Sequence, residues 1–383
     1  MVGVMAGIFG EIVRSAALAL GIIVVATFVS DGVHWALHRM AKSRSPLLRR
    51  MGAMHDAHHD FWDRRLAFHD EARRANLLRH RLPEFLVLVS TSALLGLFLG
   101  RGALGLALLF FVCSFSVTTW NGGHDSNHQP IERLRAPGSA VFVGIHYHAL
   151  HHVFPSSYFA SFTTLFDRVF GTGCHLEDRR IVITGASGAF GAPLAKMLRE
   201  AGAAEVTALK FGRDYDYGDY DRLDDALAGA DILVLSHGSK VDRAMEANCD
   251  SYVALIERYR RLRRESFLPC EVWATGSEIE CHPSWGDAEL EIYSASKRAF
   301  ARRARWYFHR PDMVYRHIVA SAFTSRMGPG LISGEAAAAL AMFFIRRGFR
   351  YIPVTYTGIA WVNYLKFALA LHARAPEPAA SGR

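Results

Sequence analysis

Four histidine clusters, each next to an apolar stretch, constrain the first half of this chain more than any other feature. They read His34-x3-His38, His55-x2-His58-His59, His124-x3-His128 and His148-x2-His151-His152, and thirteen of the 19 histidines lie between residues 34 and 152. On a helix, residues three and four apart share a face, so each cluster aims two or three imidazoles at one point. A lone histidine is ordinarily a half-buried polar residue. Four recurrences of metal-ligand spacing point instead to a shared metal centre. The candidate ligands are His34, His38, His55, His58, His59, His124, His148, His151 and His152, with His128 added from the third cluster. His69, His80 and His146 are outlying candidates.

Apolar runs at residues 15–30, 85–99 and 102–119 predict three membrane spans, about 12–33, 84–100 and 102–121, since roughly 20 apolar residues cross a bilayer. The spans are poor in polar side chains and the histidines collect at their ends. A metal transporter would place ionisable groups at mid-depth, so the pattern predicts a fixed centre at the membrane face. Lys42, Arg44, Arg49, Arg50, Arg64, Arg65, Arg73, Arg74 and Arg79 crowd the histidine-bearing loop. By the positive-inside rule that side is cytoplasmic, which predicts an inner-membrane protein with both domains facing the cytoplasm. A net charge of +8 suits an anionic membrane surface. No nucleic-acid signature is present, so no nucleic-acid partner is expected. Five scattered cysteines without a CxxC read as reduced thiols.

Residues 20–173 resemble the fatty acid hydroxylase/sterol desaturase superfamily of membrane di-iron oxygenases. The resemblance rests on the clusters above, on Gly123-His124-x2-Asn127, which is similar to the plant wax-alkane branch, and on Tyr158-x2-Ser161-Phe162, Asp167 and Phe170-Gly171-Thr172. Ser157 stands where relatives often carry Asn. The resemblance implies two non-haem irons, O2 as oxidant and hydroxylation or desaturation of a lipid. The chemistry agrees: an unactivated C–H bond needs an oxidant made from O2, and zinc has no redox chemistry to make one. Asn127, Asp31 and Asp167 are candidate acceptors that orient ligand imidazoles.

After Gly173 the composition changes. Arg180–Thr184 reads as a buried strand, followed by Gly185-Ala-Ser-Gly188-Ala-Phe-Gly191 and a helix over Ala192–Ala201. Strand, glycine turn and helix form a dinucleotide-binding entry, the pyrophosphate lying at the helix N-terminus. Further strands are expected at Glu205–Phe211, Asp231–Gly238 and Cys270–Ser277. With Tyr293-x3-Lys297, residues 178–355 look like a short-chain dehydrogenase/reductase. The resemblance implies a cofactor site at Thr184, Gly185, Ser187, Gly188, Phe190, Gly191, Lys210, Arg213, Ser236 and Gly238, shared by Tyr293 and Lys297. It implies a catalytic tetrad of Asn248, Ser277, Tyr293 and Lys297. Tyr293 would exchange a proton with the substrate oxygen and Lys297 would lower the tyrosine's pKa by its charge. Ser277 would hold that oxygen and Asn248 a relay water. The Ser277–Tyr293 interval is a few residues longer than usual, and Ala320-Ser321 replaces the usual Pro-Gly. Lys210 and Arg213, ahead of the first acid Asp214, favour NADP(H) over NAD(H).

The expected architecture is therefore an all-α integral-membrane histidine-box domain at residues 1–175, then an α/β Rossmann-like doubly wound domain at 178–357. Residues 358–383 would form a membrane-docking helix and a disordered tail. The arrangement resembles bacterial bifunctional sterol desaturase/short-chain dehydrogenase fusions, which implies C–H oxidation of a lipid and alcohol–carbonyl interconversion. The nicotinamide domain passes two electrons as hydride, and no flavin or iron–sulfur motif splits them, so an external one-electron donor is implied. Two other readings stay open: one active domain beside a relic or cofactor-sensing one, and a metal-handling or lipid-binding membrane protein without turnover.

Overall fold

The computed structural model describes residues 2–284 and 286–370 and separates into two compact units, Met1–Gly173 and Cys174–Arg383. The first is helical: α1 (Val2–Ala41), α2 (Pro46–Phe61), α3 (Arg73–Asn76), α4 (Leu82–Leu99), α5 (Arg101–Trp120), α6 (Ile145–Val153) and α7 (Leu165–Phe170). A wide, π-type turn at Leu77–Arg81 joins α3 to α4 as one continuous helix. Three helical stretches, Met5–Ala41, Asp70–Leu99 and Arg101–Trp120, are long and apolar enough to cross a membrane. At 1.5 Å per residue α1 is about 60 Å long, twice a bilayer's hydrocarbon core. Its last turns carry His34 and His38.

Small side chains let these helices approach. Ala19, Ile22, Ile23 and Ala26 of α1 pack on Ala103, Ala107 and Phe111 of α5, the interface composition expected where lipid leaves no hydrophobic drive between helices. Gly52 has a more local task. A Cβ there would lie 2.3 Å from Ala41 N and 2.8 Å from Leu37 O, so only glycine lets α2 lie against the end of α1. Residues 121–144 contain no helix, which corrects the expectation that the third histidine cluster is helical.

The second unit is a doubly wound sheet: β1 (Arg180–Thr184), α8 (Gly191–Glu200), β2 (Glu205–Leu209), α9 (Asp224–Gly229), β3 (Ile232–Leu235), α10 (Ser251–Leu262), β4 (Cys270–Thr275), α11 (Ala288–Phe308), β5 (Met313–Ala320), β6 (Phe323–Thr324), β7 (Ile332–Ser333), α12 (Gly334–Arg346), β8 (Tyr351–Val354) and α13 (Ile359–Ala368). Six strands run parallel in the order β2-β1-β3-β4-β5-β8. Compared with the six-strand order 3-2-1-4-5-6, no described residues form the strand that would flank β2, and β2 is the edge. One face packs Leu227, Tyr252, Phe300 and Phe367, the other Leu194, Ala337 and Ile345. Strand order reverses between β1 and β3, which opens a crevice at their carboxyl ends.

The apolar segment after Gly358 is not a separate appendage. As α13 it buries Ala360, Asn363 and Phe367 and packs on β8 and α11, correcting its placement outside the dehydrogenase-like domain. The tail expected to be disordered from Ala373 lies outside the described residues.

Candidate metal centre and dinucleotide site

In the first unit α1 supplies His34 and His38, α2 supplies His55, His58 and His59, and α6 supplies His148, His151 and His152. The structure gathers them, with His128, into two sets: His34, His38, His55, His59 and His151, and His58, His128, His148 and His152. Within each set one ligand atom per residue lies within 4.8 Å of every other.

His128 and His124 exchange the ranks the sequence suggested. Asp125 folds the loop back by accepting the backbone N–H groups of Asn127 (2.8 Å) and His128 (3.0 Å) through Oδ1. The same oxygen takes His128 Nδ1 at 2.8 Å, which turns Nε2 into the second set. His124 packs instead on the rings of Phe61 and Phe68 and belongs to neither set. His69 pairs with Asp63 at 3.3 Å, and the Arg135 N–H reaches His146 Nδ1 at 3.4 Å. His80 sits beside both sets, with Nδ1 3.1 Å from His55 Nδ1 and its ring stacked 4.0 Å from His58.

Tautomers are set by oxygen acceptors. His152 Nδ1 donates to Trp62 O (2.6 Å), His151 Nδ1 to Ser157 O (2.9 Å) and His58 Nδ1 to Asn76 Oδ1 (3.4 Å). With Nδ1 protonated, the Nε2 atoms of these neutral rings present lone pairs to one another. His58 Nε2 lies 3.3 Å from that of His128 and 3.1 Å from that of His152, and His148 Nε2 lies 3.0 Å from that of His128. In the other set His151 Nε2 is 2.9 Å from His34 Nε2 and 3.2 Å from His38 Nε2. Among His58, His128 and His152, whose Nδ1 atoms all donate to oxygens, lone pairs so close repel unless a cation lies among them. Nitrogens about 2.1 Å from one ion, at right angles to each other, are about 3 Å apart, so both sets fit a transition-metal ion. His55 Nε2 is buried without a hydrogen bond. Burial holds His55, His58, His59, His148 and His152 well below the usual imidazole pKa and brings His151 to about 4, keeping the neutral form a metal requires.

The three residues proposed to orient imidazoles do other work. Asp31 accepts Ser161 N at 3.0 Å and the Ser161 hydroxyl, and Asn127 donates to Ser161 O. Asp167 gathers Phe159 N, Ala160 N, Tyr147 OH and Thr172 Oγ1. They brace the Tyr158–Thr172 segment, which follows directly on Ser157. The orienting acceptors were not legible, because Trp62 and Ser157 act through backbone oxygens. A cavity of about 430 Å³ reaches from His34, His55, His58, His128 and His148 along Leu37, Phe85, Leu88, Phe110 and Phe162. Asp31, Arg79, Arg81, Glu84 and Asp125 share its lining, so the histidines meet both apolar and charged side chains there.

In the second unit a cavity of about 790 Å³ is lined by Gly185, Ser187, Gly188, Phe190, Gly191, Lys210, Ser236, Gly238, Asn248, Ser277, Tyr293 and Lys297. Gly185 has φ +69°, and a Cβ on Gly191 would lie 2.2 Å from Gly185 O. The turn therefore closes only with glycine at both positions, and it aims the α8 N-terminus into the cavity. Thr184 and Arg213 do not line it. Thr184 Oγ1 lies 2.7 Å from His237 Nδ1, and Arg213 pairs with Asp214 at 2.7 Å with its side chain 66% exposed.

Tyr293 and Lys297 project from one face of α11, started by Asp287, which caps Leu290 N. The Tyr293 hydroxyl is hydrogen-bonded with Ser277, yet burial dominates and pushes its pKa up to about 12. Lys297, brought down to about 8 by burial, donates to Thr275 O at 2.9 Å and lies 5.9 Å from the Tyr293 ring centre. Burial and the Glu280 charge raise the tyrosine's pKa against the Ser277 hydrogen bond, and the lysine expected to lower it is not among the groups that do. Asn248, in a second π-type turn at Glu246–Asp250, donates to Ser239 O (2.6 Å) and Ser296 Oγ (3.0 Å), so it ties the cavity wall to α11. Behind Ser277, Glu280 lies 3.4 Å from Ser277 N and 3.0 Å from His317 Nε2, a buried pair the sequence did not reveal. Glu278 fastens Ser321 (2.5 Å) and Thr355 (2.7 Å) to the same wall, where Pro-Gly was missing.

No family model matches the chain. It is 28% identical over 269 residues to the monoglucosyldiacylglycerol epimerase of Synechocystis sp., covering 63% of this chain and 64% of that protein. The matched stretch is longer than either unit alone. Among solved structures it is similar to a short-chain dehydrogenase from Burkholderia cenocepacia in complex with NADP (17% identity, TM-score 0.41, 52% of this chain and 97% of that one). It is also similar to a short-chain dehydrogenase from Sphingobium yanoikuyae in complex with NADPH (16%, TM-score 0.39, 52% and 99%). The chain is thus similar to a glycolipid epimerase and, in its second unit, to short-chain dehydrogenases/reductases, and the apolar helices and histidine clusters of its first fit a hydroxylase-like histidine-box domain.

Proposed function

We propose that the chain is a membrane-held lipid oxidoreductase with two chemistries: NADP(H)-dependent interconversion of an alcohol and a carbonyl, and O2-dependent oxidation of a lipid C–H bond. The convergence of Ser277, Tyr293, Lys297 and Asn248 on the cavity that receives the glycine turn carries the first part. NADP(H), when bound, supplies or accepts the hydride. Ser277 holds the substrate oxygen, Tyr293 exchanges its proton with that oxygen, and Lys297 holds positive charge at the cofactor side of the tyrosine. The glycine turn and α8 receive the pyrophosphate, with Lys210 at the cavity wall beyond it.

The two histidine sets carry the second part. Two irons, when bound, would supply the oxidant that an unactivated C–H bond requires, fed by an external one-electron donor. His34, His38, His55, His59 and His151 would hold one ion, and His58, His128, His148 and His152 the other. The apolar side chains of that cavity, Leu37, Phe85, Leu88, Phe110 and Phe162, would orient an acyl chain toward them.

The epimerase relative favours a second reading of the same dehydrogenase site. Hydride removed from a carbinol carbon and returned to its opposite face inverts that carbon with no net oxidation, and a glycolipid hydroxyl would then be the substrate. Full-length protein in nanodiscs containing membrane lipids tests both. Net oxidation accumulates NADPH from NADP+, whereas inversion leaves only traces and returns the same hydride, so the inverted product keeps its carbinol hydrogen. Turnover unaffected by Tyr293→Phe would defeat the dehydrogenase site. Protein from iron-replete cells should hold about two irons per chain, and stoichiometric zinc in their place would defeat the iron assignment.

A further inference from the structure

We propose that the exposed face of α13 docks the second unit on an anionic lipid surface. The helix has two unlike faces. Ala360, Asn363 and Phe367 are buried, whereas Trp361, Val362, Leu365 and Leu369 are 49, 69, 56 and 77% exposed. At 100° per residue these four fall within a single stripe opposite the buried three. The surface continues onto α12, where Phe344 meets the Trp361 ring at 5.8 Å and half-exposed Phe343 lies under the Arg347 guanidinium at 3.5 Å.

Charge selects the occupant. Residues 336–370 carry Arg346, Arg347, Arg350 and Lys366 and no Asp or Glu, and Arg346 and Lys366 are exposed beside the apolar stripe. Tryptophan and leucine flanked by basic side chains suit the boundary between headgroups and acyl chains, where anionic lipids add attraction. A symmetric contact with a second copy would press this positive surface against itself. The chain also has three helices long and apolar enough to cross a membrane.

The position of α13 gives the docking a use. Tyr356 and Thr357, immediately before the helix, line the dehydrogenase-like cavity. A docked α13 sets that rim at headgroup depth, where a lipid-borne hydroxyl enters without leaving the bilayer. This consequence rests on the proposed dehydrogenase activity; the docking itself does not.

The test uses full-length protein carrying Cys113→Ser, which removes an exposed thiol, and Leu365→Cys bearing a nitroxide. It is reconstituted in nanodiscs of phosphatidylglycerol and phosphatidylcholine, with the parent lacking Leu365→Cys as background. The ratio of relaxation by O2 to relaxation by an aqueous nickel chelate should be about tenfold higher at 365 than at an exposed reference label, Lys196→Cys on α8. It should fall in phosphatidylcholine alone and with Arg346→Glu plus Lys366→Glu. Val362→Cys repeats the reading at a second position. A ratio equal to that at 196 overturns the proposal, as does a label shielded from both reagents, which would mean that protein covers this face.

Discussion

His124 and His128 lie four residues apart, and only the loop decides which one reaches the histidine sets. Because Asp125 turns His128 inward while His124 rests on Phe61 and Phe68, His128→Ala should lower iron to about one ion per chain. His124→Ala should keep both, as read by elemental analysis of purified protein. The cofactor residues divide in the same way. Lys210 lines the cavity and Arg213 is spent on Asp214, so Lys210→Ala should weaken NADPH binding by roughly tenfold, one charged contact's worth, and Arg213→Ala by less than about twofold. Fluorescence titration measures both. Lys297 adds a pH signature. Its ammonium, with a pKa of about 8, is lost as pH rises through that value. Carbonyl reduction that depends on its charge should therefore fall above about pH 8, and a pH–rate profile of Lys297→Met should lack that limb.

At the scale of elements, the approach of α2 to α1 builds the centre, and one glycine permits it. Gly52→Ala puts a Cβ against the backbone of Ala41, so α2 should shift and carry His55, His58 and His59 out of register. More than half the iron should be lost, while Gly105→Ala, which meets nothing within 4 Å, should leave it intact. Much of this architecture was legible. Buried parallel strands such as Ile181–Thr184 and Ile232–Leu235 are nearly all apolar, and the glycines after β1 name their own turn. What was hidden has physical causes. The i, i+3 and i, i+4 histidine spacing that signals a helix also arises when an aspartate folds a loop, as Asp125 does. The widened turn at Leu77–Arg81 leaves no mark in the periodicity, so His80 and Asn76 could not be placed beside the histidine sets. Nor does an apolar run reveal that one face of α13 is buried in the sheet's own core. The lack of a described strand beyond β2 is an absence of pairing, invisible in any single segment.

At the scale of the whole chain, the two sites draw on separate residues. Each histidine set is complete within residues 34–152, and every group lining the dinucleotide cavity lies beyond Gly173. Lesions in the two should therefore separate. Tyr293→Phe keeps the ring and deletes the proton donor, so alcohol–carbonyl interconversion should drop at least about a hundredfold while C–H oxidation continues. His151→Ala removes the imidazole that lies within 3.2 Å of both His34 and His38; it should lose iron and C–H oxidation yet keep NADPH binding. If oxidation of the lipid precedes the dehydrogenase step, cells with Tyr293→Phe should accumulate an oxygenated intermediate, and cells with His151→Ala the unoxidised lipid. Mass spectrometry of the two lipid extracts distinguishes them. The same unoxidised precursor in both strains would overturn that order.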